Sequence, residues 1–270
     1  MAERGAAAPF GPRSGPLLRR LWAPLLASLT LLALLLSSCA DEPCLGPDRI
    51  WADLTIVGGD VFLRDGEPIA GARLCLVEPG GCPCVRADAR GRALLPLPVD
   101  APVSVRISAP GHLGLALQVM TEREDLGGRL SLPNDTLVAI FAGLSGVAYD
   151  ASMGHLGLAP DPVPGGDLSG ARYELLRFDG SPVTGADGGP LPALYSQTHP
   201  LTANETEASG QAIFGNIPPG RYLLRSELIA RCSVVGGWDP ELFDLPPDPS
   251  TRALEIFAGS ATNVVMSGCR

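Results

Sequence analysis

From Trp51 onward, apolar residues occur in short runs that Gly, Pro, Asp or Asn interrupt roughly every 8 to 12 residues. Short runs bounded by turn residues are typical of the strands of a β-sandwich. No window after residue 38 holds an amphipathic helical period long enough to predict a helix. This part of the chain is therefore predicted to be all-β and built from many short strands.

The first 38 residues follow a different pattern. Residues 1–20 contain four arginines and one acid, and 21–38 form an 18-residue uncharged stretch, LWAPLLASLTLLALLLSS. A basic segment followed by an apolar segment is typical of an export signal. The tetrapeptide LSSC, which ends at Cys39, resembles the lipobox of bacterial lipoproteins. The resemblance implies cleavage before Cys39 and acyl chains on that residue; an uncleaved signal anchor is the alternative.

The residues after Cys39 bear on the destination of the protein. The familiar inner-membrane retention signal places Asp directly after the lipidated cysteine, whereas here Ala40 intervenes before Asp41. We therefore expect an outer-membrane lipoprotein, on the periplasmic or the surface face. Residues 39–53 are predicted to be a short tether, so that the first folded domain lies close to the bilayer.

Composition restricts the partners. Removing residues 1–38 takes away four of the 20 basic and one of the 29 acidic side chains, which leaves a net charge of −12. This charge disfavours nucleic acid and anionic lipid as partners. All basic residues are Arg, and the 33 Gly and 27 Pro favour turns over helices.

Two pairs of segments are alike. Residues 71–77 (GARLCLV) match 170–176 (GARYELL), and 88–95 (DARGRALL) match 207–214 (EASGQAIF). The second pair reads as a turn, whose Gly takes a positive φ, followed by a strand. We interpret the pattern as two copies of one β-unit, the second carrying some 20 extra residues.

These segments carry a family resemblance. GGDVFLRDGEPIAGARLCLV, RADARGRALLPLP and VSVRISAPGH look like the carboxypeptidase regulatory-like, or transthyretin-like, sandwich. EASGQAIFGNIPPGRYLLR resembles the same superfamily, including Cna B-type domains. The resemblance covers about 54–119 well and 143–268 loosely. It implies two tandem seven-stranded Greek-key sandwiches of the transthyretin-like (prealbumin-like) type, over 54–138 and 139–270.

Enzymatic relatives of these folds do not fit the sequence. A zinc carboxypeptidase needs a His-x-x-Glu pair, which none of the three histidines (His112, His155 and His199) provides. Intradiol dioxygenases bind iron with two Tyr and two His, and their histidines follow the turn that corresponds to PPGRY. No His follows His199. The sequence predicts a non-enzyme with no metal and no cofactor.

Covalent cross-links are expected from cysteines. The isopeptide bond of many Cna B-type domains needs Lys, and this chain has none. With Cys39 lipidated in an oxidising compartment, six cysteines remain for disulfides. Pairing within each copy gives Cys232–Cys269 in the second and three arrangements in the first, of which adjacent strands favour Cys75–Cys84 with Cys44–Cys82. A metal or redox pair at Cys82-Pro83-Cys84 is the alternative.

The functional prediction rests partly on analogy with the fold. We expect a non-catalytic, lipid-anchored envelope protein whose domains act as structural, adhesion or binding modules, with an envelope protein or a glycan as partner. The alternative is an accessory protein that presents carbohydrate or peptide to a separate hydrolase. Its ligand would need an exposed aromatic surface, for which Trp238 and Tyr195 are the candidates, although Trp238 also fits a lid over a β-core.

Overall fold

The computed structural model describes most of the chain after residue 44. Cys44–Arg270 forms one compact unit, and Met1–Pro43, the other unit, contains no described residue. The predictions for the export signal and for Cys39 therefore lie outside the described residues. Those residues are 45, 48–59, 66–78, 84–145, 148–164, 166–185, 188–195 and 210–269.

The described part of the first half contains seven strands in two sheets. The strands are β1 (Arg49–Gly59), β2 (Arg73–Glu78), β3 (Cys84–Arg86), β4 (Arg92–Pro98), β5 (Pro102–Ser108), β6 (Gly114–Met120) and β7 (Leu126–Pro133). One sheet has the order β4-β1-β7 and the other contains β6-β5-β2-β3. Alternating burial along β1 and β4 directs one face of the first sheet into the core.

Among its described residues, the second half contains eight strands. They are β8 (Gly154–Pro162), β9 (Glu174–Leu176), β10 (Leu194–Tyr195), β11 (Ala212–Ile217), β12 (Gly220–Arg225), β13 (Ser233–Val235), β14 (Thr251–Ile256) and β15 (Ser260–Cys269). One sheet has the order β14-β12-β9, and the other contains β10-β11-β8-β15, with β13 paired to β15. Two 3₁₀ helices, Ile229–Arg231 and Pro240–Phe243, lie between β12 and β14.

The two halves repeat one pairing scheme. In the first half β1 lies between antiparallel β4 and parallel β7, and in the second half β8 lies between antiparallel β11 and parallel β15. Likewise, β5 pairs with β2 and β6, as β12 pairs with β9 and β14. Each half encloses its own apolar cluster, around Ile56 and Leu95 in the first and around Phe214 and Leu224 in the second. The prediction of an all-β fold is confirmed.

The glycines of the sequence repeat occupy equivalent turns. Gly91 and Gly210, which precede β4 and β11, have φ values of +73° and +66°. A Cβ at Gly91 would lie 2.4 Å from the carbonyl oxygen of Ile56, so this turn excludes a side chain by space as well as by conformation. The predicted positive φ at these turns is confirmed.

The halves share a continuous sheet. Residues Ser260 to Thr262 of β15 pair in parallel with Gly114 to Ala116 of β6, which joins the second-half sheet to the first-half sheet. Arg106 reinforces the junction because its guanidinium donates to the carbonyl oxygen of Ala258 at 2.8 Å and to Ser260 Oγ at 3.2 Å. The predicted boundary between residues 138 and 139 remains a prediction.

Two local features differ from the sequence-based expectation. β1 begins at Arg49, five residues before the predicted start of the first sandwich at residue 54. A helix, α1 (Asp135–Ser145), follows β7, where no helix was predicted. Its sequence, DTLVAIFAGLS, is apolar on most sides and gives no amphipathic period. The helix begins where Asn134 Oδ1 accepts a hydrogen bond from the Leu137 N–H at 2.8 Å.

No helix in the described part of the chain is long and apolar enough to cross a membrane.

Candidate functional site

A groove lies between α1 and the outer face of the sheet β11-β8-β15. Side chains alternate between the two faces of a strand, and four of the outward positions here are small: Gly157 and Ala159 on β8, Gly215 on β11 and Ala261 on β15. The missing side-chain volume leaves a cavity of about 330 Å³. Pockets that bind small molecules begin at about this size.

Helix α1 and the strand ends supply apolar walls. Leu137 of α1 is 1% exposed, and Val138 and Ala142 line the same side of the cavity. Leu113 and Pro133, two residues of the first half, form another part of the wall. An apolar group that enters the groove would exchange water for aliphatic contacts, which is favourable by roughly 25 cal/mol per Å² of buried surface.

The polar end of the groove contains Tyr149, His155 and Asn216. The rings of Tyr149 and His155 stack with 5.2 Å between centroids. The backbone N–H of Asn216 donates to His155 Nδ1 at 3.4 Å, so a neutral ring carries its proton on Nε2. His155 Nε2 is enclosed and has no hydrogen-bond partner among the described residues.

Burial keeps this end of the groove uncharged. It lowers the pKa of His155, which favours the neutral imidazole. Burial also raises the pKa of Tyr149, and the carboxylates of Asp135 and Asp150 act in the same direction. The groove thus presents neutral donors and acceptors at one end and aliphatic walls along its length.

Asn216 holds the polar end together. Its φ of +51° is a left-handed conformation that Asn tolerates better than most residues. Its side chain accepts from the Asp150 N–H at 3.1 Å and donates to the Ala148 carbonyl oxygen at 2.6 Å. Asn216 belongs to EASGQAIFGNIPPGRYLLR, the segment that carries the family resemblance of the second copy, so that segment was the available signal for the groove.

Trp238, a candidate for an exposed binding ring, is buried. It is 4% exposed, its Nε1–H donates to the carbonyl oxygen of Val119 at 3.3 Å, and it packs against Phe243 with 5.7 Å between ring centroids. This corrects the proposal of an exposed Trp238 platform and agrees with the alternative of a lid over the β-core.

Tyr195 lies at the end of β10, where it pairs with Ala212 of β11. Its neighbour Leu194 and its partner Ala212 both line the groove. The Tyr195 side chain is outside the described part of the structure, so its role in ligand binding stays a prediction.

Two of the three expected disulfides are confirmed. Cys75 pairs with Cys84 across β2 and β3, and Cys232 pairs with Cys269 at the end of β15. The predicted partners Cys44 and Cys82 are outside the described residues. Neither confirmed disulfide borders the groove.

Acidic turns have a structural explanation. Asp167 and Asp179 each accept hydrogen bonds from the backbone N–H and hydroxyl of the serine two residues later, and these bonds lower the pKa of both carboxyls. In the described part of the chain, no three His, Cys, Asp or Glu side chains come together to hold a metal ion.

No protein-family model and no curated protein matches the chain. Solved structures that resemble it include the Bacillus anthracis TIE protein (13% identity, TM-score 0.26), in which the match covers 83% of this chain and 34% of the other. The match to the minor pilin GBS52 of Streptococcus agalactiae has 13% identity and a TM-score of 0.25, and it covers 81% of this chain and 97% of the pilin. The match to the major pilin subunit BcpA of Bacillus cereus has 9% identity and a TM-score of 0.27, and it covers 82% of this chain and 99% of the subunit.

The chain therefore spans about a third of the TIE protein and nearly the whole of each pilin subunit.

Proposed function

We propose that this chain is a non-catalytic envelope protein, anchored by lipid on Cys39, that binds an apolar ligand in the groove beside α1. The observation that carries the proposal is an open cavity of about 330 Å³ with aliphatic walls and an uncharged polar end. Of the structural, adhesion and binding roles, binding is the one that requires such a groove.

The size of the cavity indicates the size of the ligand. An apolar cavity of about 150 Å³ holds one benzene molecule. A cavity about twice as large suits an apolar group of two rings or a branched aliphatic group of similar volume. Trp238 is buried and offers no face for stacking on a sugar, and the aliphatic walls of the groove favour an apolar ligand over a glycan.

The alternative role of an accessory protein retains one supporting observation. The groove would accept the apolar side chains of a peptide, which a separate hydrolase could then cleave. Competition between a leucine-rich peptide and a bound dye would favour this role, whereas competition only by small apolar molecules would favour a binding protein without a peptide partner.

A naphthylamine dye tests the groove directly. N-phenyl-1-naphthylamine fluoresces on entering an apolar site, and we expect saturable binding to the purified chain. Ala159→Phe places a ring in the cavity from an exposed position, so it should weaken binding by about tenfold or more, equivalent to about 1.4 kcal/mol.

Ala139→Phe is the matched control. Ala139 is exposed on α1 and does not line the groove. The same substitution at this position should leave dye binding unchanged. Equal loss of binding in both variants, or no binding to the unmodified chain, would contradict the proposed function.

The anchor requires its own test. Cys39→Ser should abolish fatty-acid labelling and release the protein from the membrane fraction, because the thiol is the attachment point. Labelling that persists in the variant would contradict lipidation of Cys39. For the outer-membrane location, Ala40→Asp should move the lipidated protein to the inner-membrane fraction on a density gradient. A wild-type protein found in the inner membrane would contradict that location.

A further inference from the structure

Large apolar side chains are exposed at the end of the first half where β1 begins. Trp51 is 37% exposed, Leu94 50% and Met120 48%. Trp51 lies two residues after the start of β1, and Met120 is the last residue of β6. Clustered exposed apolar residues of this kind usually mark a contact surface.

Strand register places Trp51, Leu94 and Pro96 together, and we call these three residues the entry patch. Trp51 lies opposite Pro96 in the antiparallel pair β1–β4, and Leu94 lies opposite Asp53, one outward position further along. Directly opposed and diagonal residues on one face of such a pair are close enough to touch. The entry patch is thus continuous on the outer face of its sheet.

Met120 belongs to the same end of the half. It pairs with Pro102 at the start of β5, immediately after the turn that leaves β4. Thr121 fastens this end, since its N–H donates to the carbonyl oxygen of Ala101 at 2.9 Å. The backbone N–H of Trp51 donates to Asp125 Oδ1 at 2.8 Å, which ties β1 to the segment after β6.

Two ion pairs lie around the entry patch, beside the exposed and mainly acidic segment 122–125. Arg92 forms a salt bridge with Asp53 beside Leu94, and Arg123 contacts Asp100 at 3.2 Å. The Arg49 guanidinium lies 5.6 Å from the centroid of the Trp51 ring. Trp and Arg side chains are chemically suited to the headgroup region of a bilayer, where Trp is enriched.

The length of chain before β1 limits how far this end can lie from the lipid. Arg49 comes ten positions after Cys39. Even a fully extended chain of that length spans at most about 33 to 36 Å, at 3.3 to 3.6 Å per residue. The start of β1 therefore lies within this distance of the proposed acyl chains.

We propose that the entry patch rests on the lipid bilayer, with the Trp51 ring in the headgroup region. The inference depends on the proposed lipid at Cys39 and adds to it a second, non-covalent contact that orients the first half on the membrane. The partner is a zwitterionic bilayer surface, since the acidic net charge of the chain disfavours anionic lipid.

Tryptophan fluorescence gives a direct test. After cleavage before Cys39 the chain contains two tryptophans, exposed Trp51 and buried Trp238. The purified lipoprotein is reconstituted into phosphatidylcholine vesicles with or without bromine near the top of the acyl chains. We expect brominated lipid to quench most of the Trp51 emission. Trp51→Phe, which retains Trp238, should show little quenching.

Each outcome is decisive. Mass spectrometry of the same preparation reports lipid on Cys39: its absence would overturn both the anchor and this inference. A lipidated, vesicle-bound protein whose Trp51 is not quenched would overturn the inference alone. Shielding of Trp51 from acrylamide that depends on protein concentration instead of lipid would assign the patch to a second copy and also overturn it.

Two surface variants distinguish the contribution of the entry patch from that of the lipid anchor. Leu94→Asp adds a charge to an exposed position of the patch without touching the core. It should reduce the quenching of Trp51 severalfold while lipidation and vesicle binding remain intact. Leu242→Asp, at an exposed apolar residue elsewhere on the surface, is the matched control and should leave quenching unchanged. Equal quenching in both variants would contradict the contact.

Discussion

The side-chain amide of Gln118 on β6 hydrogen-bonds to both backbone groups of Glu255 on β14: it donates to the carbonyl oxygen and accepts from the N–H at 3.1 Å. Gln118 is fully buried although it belongs to the first half and Glu255 to the second. β6 and β14 belong to different sheets and do not pair through their backbones. The two hydrogen bonds of the Gln118 side chain connect these strands instead. They join the halves beyond the short β15–β6 ladder.

We predict that Gln118→Leu destabilises the folded chain by about 1 to 3 kcal/mol, because the Glu255 N–H loses its Gln118 partner in a partly buried position. Urea unfolding, followed by circular dichroism, measures the change. Met120→Leu, on the same strand but 48% exposed, should change stability by less than about 0.5 kcal/mol. A Gln118→Leu variant as stable as Met120→Leu would show that the junction does not depend on this amide.

The Glu255 carboxyl makes the same junction sensitive to pH. Burial raises its pKa; Arg221 opposes the shift and Glu78 adds to it. The folded chain therefore holds the Glu255 proton to higher pH than the unfolded chain, so stability falls as pH rises through this interval. We predict that Glu255→Gln removes this fall, seen as a smaller decrease in the urea midpoint between pH 4.5 and pH 7.5.

Asp179 provides the control of opposite sign. Hydrogen bonds from Ser181 lower its pKa, so its contribution is present above the unfolded pKa and is lost as pH falls. Asp179→Asn should remove part of the loss of stability on the acid side. The same pH response in the Glu255→Gln and Asp179→Asn variants would contradict the assigned directions.

The two confirmed disulfides should contribute differently to the stability of the folded chain. Cys232 and Cys269 are 37 residues apart, and Cys75 and Cys84 are nine apart. In the chain-entropy model the longer loop contributes about 3.9 kcal/mol and the shorter about 2.7 kcal/mol. We predict that replacing Cys232 and Cys269 by Ala costs about 1 kcal/mol more than replacing Cys75 and Cys84. Denaturant midpoints under non-reducing conditions measure the difference, and the reverse order would contradict the model.

Local sequence signals predicted much of the fold. The repeated glycines Gly91 and Gly210 marked turns whose conformation only Gly adopts easily, and alternating apolar residues marked the strands on either side. The Cys75–Cys84 pair followed from two short strands in sequence, whose register puts these residues opposite each other. Such features depend on neighbours within a few residues, and those neighbours can be read directly from the sequence.

The groove and the junction could not be predicted in this way. The groove floor combines Gly157 of β8 with Ala261 of β15, which lie over 100 residues apart in the chain and meet because their strands pair. Helix α1 was not predicted, because an apolar helix packed against a sheet has no polar face and therefore shows no amphipathic period in its sequence. Only the Asn134 cap and Asp135 in the first turn signal its start.

Tyr173 connects a repeat segment to the turn before β11. Its hydroxyl donates to the carbonyl oxygen of Gly210 at 2.8 Å, and the side chain is 5% exposed. Tyr173→Phe keeps the ring in the core but leaves a buried carbonyl with one hydrogen bond fewer, so we predict a loss of about 1 to 2 kcal/mol. Tyr149→Phe, at a ring that is 39% exposed, is the matched control and should cost less than about 0.5 kcal/mol. Urea unfolding of both variants measures the difference, and equal stabilities would show that the Tyr173 hydroxyl does not hold the Gly210 turn.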